Sequence, residues 1–312
     1  MVLGLCANAM ADPLAGEQLK FFQSPLSAAG APNLGIYPVG ASYNPATDFA
    51  SRFPGQDILS TASYSTTNGN AGYVGTMAAD DFSDTNPMPI GHIMWWGSYI
   101  NNPNINTFGS SNGDIAPSGV QQFQISIYTN NSPPTGGPST PATLVATETV
   151  TAGALSPSSG TFTETPVSAD TGSPDGPLFQ YNAELAIPLP DAVYPNVEWL
   201  SIVALTPFGS SLQWGWHDRN NGIFDPYAAP AGADGTLPPG YHFLDDAVQG
   251  GYIGGPQFTA SYNSLTYSTD FDGVGSSMDL AFALYTPVPE PTSLAMLGLG
   301  AIGILLRRNK KR

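Results

Sequence analysis

Acidic side chains are the most numerous groups in this sequence that could do chemistry. The chain has 24 aspartates and glutamates, eight lysines and arginines, three histidines and one cysteine. Glycoside hydrolysis needs a pair of carboxylates, but so many acids form pairs by chance, and no pair is marked by its local context. His92, His217 and His242 form no i, i+4 pair and no cluster, so nothing local indicates a zinc site or a triad. We therefore expect no catalytic residue.

One short motif typical of serine hydrolases occurs in the chain. Residues 109–113 read Gly-Ser-Ser-Asn-Gly and match the G-x-S-x-G pattern of a nucleophile elbow. Such an elbow needs a strand before the serine and a helix after it. Here the match lies in a run of Asn, Gly and Ser that no helical pattern follows, and a chain rich in these residues produces such matches by chance. The motif therefore indicates a loop.

Oxygen-bearing side chains at alternate positions come before a glycine turn at residues 218–225. Asp218, Asn220 and Asp225 could supply oxygen ligands to a calcium ion. The segment lacks the bidentate glutamate at the spacing that an EF-hand requires, and a simple Asn-Gly turn accounts for it better. Calcium at this loop is the only cofactor that the sequence suggests.

Four tryptophans could form a stacking platform for sugars. Trp95, Trp96, Trp214 and Trp216 would offer flat aromatic faces, and such faces beside amides and carboxylates suit carbohydrate binding. However, Trp214 and Trp216 are two residues apart, which places both on one face of a strand. Packing in a hydrophobic core predicts the same spacing, so both roles are consistent with the sequence.

The elements that would position these residues are β-strands. Alternation of apolar and polar residues, which is typical of strands with one buried face, occurs at residues 123–128, 179–187, 212–217 and 279–284. Denser apolar runs at residues 90–100 and 199–207 predict central strands that are buried on both faces. A segment rich in Thr and Val at residues 143–151 suits an outer strand.

The connections between these segments are long and rich in Gly and Pro, which favours a sandwich with crossing connections over a simple meander. No ten-residue stretch of the body has a helical period. We therefore predict an all-β body, residues 12–286, folded as a single jelly-roll-like antiparallel β-sandwich with long loops. Residues 79–82, 95–97 and 279–282, which read ADDF, WWG and DLAF in this order, resemble uncharacterised bacterial exported β-sandwich proteins, a resemblance that implies no activity.

Charge is distributed unevenly along the chain. Five of the eight basic residues lie within the last six positions, and they are Arg307, Arg308, Lys310, Lys311 and Arg312. The body keeps three basic residues against 23 acidic ones, which gives it a net charge of −20. A surface of this sign repels phosphate backbones, so nucleic acid is excluded as a partner.

The N-terminus has the pattern of a leader that is removed on export. Ala9-Met10-Ala11 follows a short apolar run and matches an A-x-A cleavage site. We therefore expect residues 1–11 to be the remnant of a signal peptide, with Ala9 and Ala11 defining the cleavage site. Cys6 lies in this segment, so the mature body would contain no cysteine, no disulfide and no thiolate metal site.

The C-terminus combines three features in a fixed order. Val288, Pro289, Glu290 and Pro291 are followed by an uncharged, apolar run at residues 292–306 and then by the basic cluster. As a helix, this run would span roughly 22 Å, which is short for a hydrocarbon core of about 30 Å, although thinning of the bilayer and snorkelling can compensate. The positive-inside rule keeps the basic cluster in the cytoplasm, so we predict a transmembrane helix with the body in the periplasm.

A Pro-Glu-Pro tripeptide, a short apolar span and a terminal Arg-rich cluster together resemble the PEP-CTERM sorting signal, here at residues 287–312. The resemblance implies recognition by an exosortase, a membrane-embedded cysteine transpeptidase-like enzyme, and cleavage near the tripeptide. It also implies transient anchoring in the inner membrane of a Gram-negative host that makes exopolysaccharide, followed by release or transfer to the cell surface. An ordinary tail anchor would share the topology but would give no reason for the tripeptide.

Three functions are consistent with these observations. The leading hypothesis is a non-catalytic protein of the cell surface or extracellular matrix, sorted by an exosortase. The alternative is a carbohydrate-binding module for exopolysaccharide, which the tryptophans and the acidic surface suggest. A hydrolase is the third, and a cleft lined by two carboxylates at about 5–10 Å would favour it.

Overall fold

The computed structural model describes residues 17–23, 57–66, 71–83, 86–100, 119–131, 139–166, 178–190, 197–217, 247–256, 262–264 and 279–287. These residues form fourteen strands and, within the ranges just given, no helix. The strands are β1 Leu19–Gln23, β2 Asp57–Leu59, β3 Thr61–Ser65, β4 Gly72–Phe82, β5 Ile90–Ile100, β6 Gln122–Asn131, β7 Thr140–Ala152, β8 Thr161–Pro166, β9 Phe179–Leu189, β10 Glu198–Thr206, β11 Gln213–His217, β12 Val248–Ile253, β13 Tyr262–Ser264 and β14 Phe282–Tyr285.

The strands form one 14-stranded sheet that curves back on itself. Its main path runs β1-β14-β5-β9-β8-β7-β6-β10-β3-β4-β12-β13, and β11 pairs with both β5 and β2. Ser60 is the single residue between β2 and β3. The strands therefore form a closed circuit. It runs from β5 through β9, β8, β7, β6 and β10 to β3, and from β3 through β2 and β11 back to β5. The result is a sandwich-like body in which two layers enclose a shared interior.

Aromatic rings fill the interior between the layers. The ring centroid of Phe123 on β6 lies 5.1 Å from that of Trp95 on β5, 5.1 Å from that of Tyr181 on β9 and 4.9 Å from that of Trp214 on β11. Because β5 and β6 are separated by three strands along the sheet path, the contact between Trp95 and Phe123 crosses the interior. Aromatic pairs of this kind contribute about 0.5–1.5 kcal/mol each beyond the area that they bury.

Ser60 joins the two layers by its backbone and its side chain. Its N–H donates to the carbonyl of Trp214 at 3.1 Å, and its own carbonyl accepts from the N–H of Ala204 at 2.9 Å. Its hydroxyl donates to the carbonyl of Ile202 at 2.6 Å and accepts from the N–H of Ala78 at 3.0 Å. The point where the chain passes between layers is therefore fully buried and hydrogen-bonded to three strands, β4, β10 and β11, which satisfies polar groups that would otherwise be costly to bury.

The strands predicted from alternation are present, but the prediction of a single buried face is wrong for β9, where the polar residues Gln180, Asn182 and Glu184 are buried as well. β5 is buried on both faces except at its last residue, and every residue of β10 is buried. Phe123, Ile125 and Ile127 point into the core as predicted. The prediction is wrong for Ile187, which is 74% exposed although it continues the alternation of β9.

The sheet is mixed, so the prediction of a purely antiparallel sandwich is wrong. β10 pairs with β3 in parallel, and β7 pairs with β8 in parallel over two residues. Alternation along one strand carries no information on the direction of the strand beside it. The all-β class is confirmed, whereas jelly-roll connectivity is not confirmed and stays a prediction.

The last strand of the body lies inside the sheet and not at its edge. β14 pairs with β5 on one side and with β1 on the other. Beyond β14, the N–H of Thr286 donates to the carbonyl of Gln18 at 2.9 Å, and the N–H of Gln18 donates to the hydroxyl of Thr286 at 2.9 Å. Pro287 then lies against Gly91, where an added Cβ would come within 2.4 Å of the Pro287 Cα. The start of the C-terminal segment is thus held by the first described residues of the chain.

Candidate functional site

Three ionisable side chains meet beside the end of β14. His92 on β5 is the cross-strand partner of Glu184 on β9 and of Tyr285 on β14. The Nδ1 atom of His92 lies 2.8 Å from Oε2 of Glu17, which comes just before β1, and 3.6 Å from Oε1 of Glu184. The imidazole stacks on the Tyr285 ring with centroids 5.0 Å apart. The register of four neighbouring strands, β9, β5, β14 and β1, therefore assembles this Glu-His-Glu cluster.

The Glu-His-Glu cluster is shielded from solvent. The side chains of Glu17, His92 and Glu184 have exposed fractions of 0%, 2% and 3%. Burial raises the pKa of Glu184 to about 7; the neighbouring His92 lowers this pKa, and Glu17 raises it. Neither Oε1 of Glu184 nor Nε2 of His92 has a hydrogen-bond partner among the described residues. One ligand atom from each of the three residues lies within 4.8 Å of the others, a spacing that suits a metal ion.

A second histidine and a serine contact the same aspartate, but the three residues do not form a triad. Nδ1 of His217 lies 2.9 Å from Oδ1 of Asp57, and the hydroxyl of Ser98 donates to Oδ2 of the same carboxylate. A serine nucleophile needs its hydroxyl bonded to the imidazole, which removes its proton. Here the carboxylate lies between the serine and the histidine, so the arrangement cannot activate Ser98 and instead ties β2, β5 and β11 together.

A buried glutamate lies between two tyrosines in the interior. The hydroxyl of Tyr99 donates to Oε2 of Glu164 and accepts from the N–H of Val120 at 3.1 Å. Burial raises the pKa of Glu164, and hydrogen bonds from Tyr99 and Tyr181 partly oppose this rise. Burial and the nearby glutamate raise the pKa of both tyrosines well above the ordinary value. The two hydroxyls therefore stay protonated, and that of Tyr99 donates to Glu164.

Glu164 should make the stability of the protein depend on pH. Because its pKa is higher in the folded than in the unfolded chain, its contribution is fully present below the unfolded pKa and is lost as pH rises through the folded pKa. We expect Glu164→Gln to lose less unfolding free energy than the parent as pH rises above the pKa of an unfolded glutamate, about 4.3, as measured by urea denaturation.

Tyr99→Phe is the matching variant for this pH dependence. It removes a hydrogen bond that lowers the pKa of Glu164, so we expect it to steepen the loss of stability with rising pH. Its overall stability will also fall because the N–H of Val120 loses an acceptor, which is why the slope with pH is the quantity to compare. Equal slopes in the parent, Glu164→Gln and Tyr99→Phe would contradict the assignment.

The strongly acidic composition predicts a solvated acidic surface, but many of the carboxylates lie inside the body. Eight of them have side chains that are 5% exposed or less, namely Glu17, Asp57, Asp80, Asp81, Glu164, Glu184, Glu198 and Asp279. Asp80 shows how such a group is satisfied, since it accepts the N–H of Leu280 at 2.7 Å and that of Asp81 at 3.0 Å. Asp80 thus serves the interior of the sheet as a hydrogen-bond acceptor.

The structure places all four candidate sugar-binding tryptophans in the interior. Trp95, Trp96, Trp214 and Trp216 each have an exposed fraction of 0%. The Trp95 ring stacks on Tyr181 at 5.4 Å, and the indole N–H of Trp216 donates to the carbonyl of Ala281 at 2.9 Å. No face of these rings is open to a sugar, so the stacking platform is replaced by core packing, which the spacing of Trp214 and Trp216 also predicted.

One open groove is found among the described residues. It is lined by hydroxyl side chains, including Thr61, Ser63 and Thr76, and by the β10–β11 turn, and its volume is about 210 Å³. Ligand pockets for small molecules are usually about 300–1,000 Å³. The groove has no aromatic residue in its lining, so it gives little support to a carbohydrate site.

Several predicted site residues lie outside the described part of the chain. They are the calcium candidates Asp218, Asn220 and Asp225, the leader residues Ala9 and Ala11, residues 109–113, the sorting residues Val288, Pro289, Glu290 and Pro291, and the basic residues Arg307, Arg308, Lys310, Lys311 and Arg312. Within the described residues, no helix has the length and apolarity that a membrane span requires. The predicted helix at residues 292–306 lies outside them.

Sequence reasoning missed the Glu-His-Glu cluster because its members are far apart along the chain. His92 and Glu17 are separated by 75 positions, and His92 and Glu184 by still more. The available signal was partial: His92 interrupts the apolar run of β5, whereas Glu184 is one of the polar residues that alternate with apolar ones in β9 and does not stand out. A buried charge in a central strand indicates a partner on the neighbouring strand, but the strand register was needed to identify it.

Comparison with known proteins gives two matches. Residues 45–284 match the family model described as Domain of unknown function (DUF7901). Residues 287–311 match the PEP-CTERM protein-sorting motif, which confirms the sorting signal inferred from the C-terminal residues. No curated protein and no solved structure matches the chain.

Proposed function

Because the chain belongs to the family described as Domain of unknown function (DUF7901) and carries a PEP-CTERM protein-sorting motif, we propose that it is a non-catalytic protein of the cell surface or extracellular matrix. The motif indicates an exported protein that is processed at a membrane and sorted by an exosortase. The body is the cargo that this sorting delivers, and its role outside the cell is structural.

The observation that carries this proposal is the position of the sorting motif relative to the fold. The motif begins at residue 287, directly after β14, which ends at Tyr285. Glu290 follows Tyr285 by five positions, and an extended chain of that length reaches at most about 18 Å. The enzyme that cuts near Pro-Glu-Pro would therefore work close to a folded body, and only a short segment would remain on the mature protein.

The chemistry of the described residues supports a structural role. The three sets of reactive groups built around His92, His217 and Glu164 lie in the interior, and the serine beside His217 cannot be activated by it. A buried carboxylate serves as a hydrogen-bond acceptor only where donors meet it, and Asp80 meets two backbone N–H groups. These contacts stabilise the fold of a protein that has no disulfide in its described residues.

The proposal is tested by following the protein in a host that expresses the cognate exosortase. We expect the surface or matrix fraction to contain a form that ends near Pro289-Glu290-Pro291, identified by mass spectrometry of the intact protein and of its terminal peptides. We also expect the purified mature protein to leave host polysaccharide unaltered in size. The full-length chain free in the cytosol would overturn the sorting, and depolymerised polysaccharide would overturn the non-catalytic role. Strong retention on a polysaccharide column would favour the carbohydrate-binding alternative.

A further inference from the structure

We propose that Glu17, His92 and Glu184 form a binding site for a divalent first-row transition metal, of which Zn²⁺ is the best probe. This proposal is independent of the proposed function, since it concerns only the interior of the body. It rests on the spacing of three ligand atoms, on their burial and on a carboxylate oxygen that lacks a partner.

The distances match those expected between ligands of one ion. Zinc bonds imidazole nitrogen and carboxylate oxygen at about 2.0–2.2 Å, so two ligand atoms of a tetrahedral site lie about 3.4 Å apart. Nδ1 of His92 lies 2.8 Å from Oε2 of Glu17 and 3.6 Å from Oε1 of Glu184, which brackets this value. Shifts of a few tenths of an ångström in the side chains would equalise the two distances.

The carboxylate of Glu184 points to a ligand. Its side chain is only 3% exposed. Its Oε1 lies 3.6 Å from Nδ1 of His92 and accepts no hydrogen bond from any described residue. The carboxylates of Glu17 and Glu184 both face Nδ1 of His92 in the interior, and two negative charges are costly at this distance without a cation. A divalent ion would balance both charges and occupy the oxygen that has no donor.

The donor set selects the class of metal. Calcium and magnesium prefer six or more oxygen ligands, and an imidazole nitrogen beside two carboxylates suits zinc, manganese or ferrous iron instead. The imidazole is held in place by its stacking on Tyr285 at 5.0 Å, which leaves Nδ1 facing the two carboxylates. Three protein ligands would leave one position of a tetrahedral ion for water.

Metal at this site would fasten the two ends of the body. Glu17 comes two residues before β1, and β1 covers the outer edge of β14. A bond from Glu17 to an ion that is also bound by β5 and β9 would fix β1 on β14 and thereby the start of the C-terminal segment at Thr286. Ligands that bind only the folded chain raise its stability, so bound metal should also raise the melting temperature.

The test measures metal in the full-length chain and in two conservative variants. The protein is treated with EDTA, dialysed, equilibrated with Zn²⁺ and analysed for bound zinc, and Co²⁺ is used in parallel because tetrahedral Co²⁺ absorbs in the visible region. We expect the parent to retain about one zinc ion per chain and to melt at a higher temperature with zinc than without it. Glu184→Gln and Glu17→Gln should lose this zinc, the Co²⁺ absorption and the zinc-dependent rise in melting temperature.

Glu164→Gln is the matched control, since it replaces another buried glutamate that lies outside the Glu-His-Glu cluster. It should bind zinc as the parent does. The two test variants keep the side-chain volume and remove one buried charge, and circular dichroism confirms that they are folded. The proposal is overturned if the folded parent binds no zinc, or if Glu184→Gln and Glu17→Gln both retain the zinc bound by the parent, which would place that zinc on other acidic residues.

Discussion

Glu290→Ala is expected to leave the protein in the inner membrane and to reduce its processed form at the cell surface by roughly 10- to 100-fold. The estimate follows from the loss of a hydrogen-bonded charge, which is worth about 1.5–3 kcal/mol, at 1.4 kcal/mol for each factor of ten. The sequence predicts an extended conformation for Glu290, because the proline that follows it disfavours the helical region. An extended peptide presents this carboxylate to a processing enzyme with little loss of conformational entropy, so its removal should affect recognition directly.

The measurement is immunoblotting and mass spectrometry of inner-membrane, surface and medium fractions from cells that express equal amounts of each variant. Thr292→Ala is the control, because it alters a neighbouring residue outside the tripeptide and should be sorted normally. Glu290→Asp keeps the charge but shortens the side chain, and intermediate release would show that reach as well as charge matters. Equal surface release of Glu290→Ala and the parent would defeat the sorting mechanism.

The short distance from β14 to the tripeptide gives the folded body a part in this step. β14 is hydrogen-bonded on both sides, and Thr286 bonds to Gln18 through two hydrogen bonds. These contacts fix the point from which the sorting segment leaves the body. A change that loosens β1 from β14 would lengthen the free segment without altering the tripeptide. The effect of such a change on release would therefore report the access of the processing enzyme to the motif, whereas Glu290→Ala reports recognition of the motif itself.

The class of the fold could be predicted because alternation is a local property. Phe123, Ile125 and Ile127 point into the core as the two-residue period requires. The apolar runs that became β5 and β10 are buried on both faces because the two faces of each strand pack into different hydrophobic clusters. The same reasoning fails at Ile187, where the strand extends beyond the layer that would cover it and the side chain is exposed.

Features that depend on strand order could not be predicted from local sequence. The parallel pairing of β10 with β3 and the passage between layers at Ser60 follow from contacts across more than 140 positions. The Glu-His-Glu cluster likewise needs the register of β5 with β9. The tryptophans show a second limit of local sequence. Their spacing fitted both a sugar platform and a core, and only their burial in the structure distinguishes the two roles.

Gly97→Ala is expected to destabilise the body by about 3 kcal/mol or more, which is at the upper end of the cost of overpacking a core. Gly97 lies where β5 passes from pairing with β14 to pairing with β11. An added Cβ would lie 2.4 Å from the carbonyl oxygen of Gly215 and 2.4 Å from a ring carbon of Trp214. The backbone oxygen is held by strand pairing, and the indole is packed against Phe123 and Tyr181, so neither can move aside without disturbing the interior.

Thermal unfolding of the full-length chain measures this effect, and a loss of about 3 kcal/mol corresponds to a fall of roughly 6–12 °C in a domain of this size. Gly255→Ala is the matched control, because an added Cβ there meets no atom within 4 Å; its melting temperature should be unchanged or slightly higher, since alanine has less freedom in the unfolded chain. Equal melting temperatures for both variants would mean that β5 and β11 are not in close contact. The closed arrangement of the two layers would then be wrong, because the pairing of β11 with β5 joins them on this side.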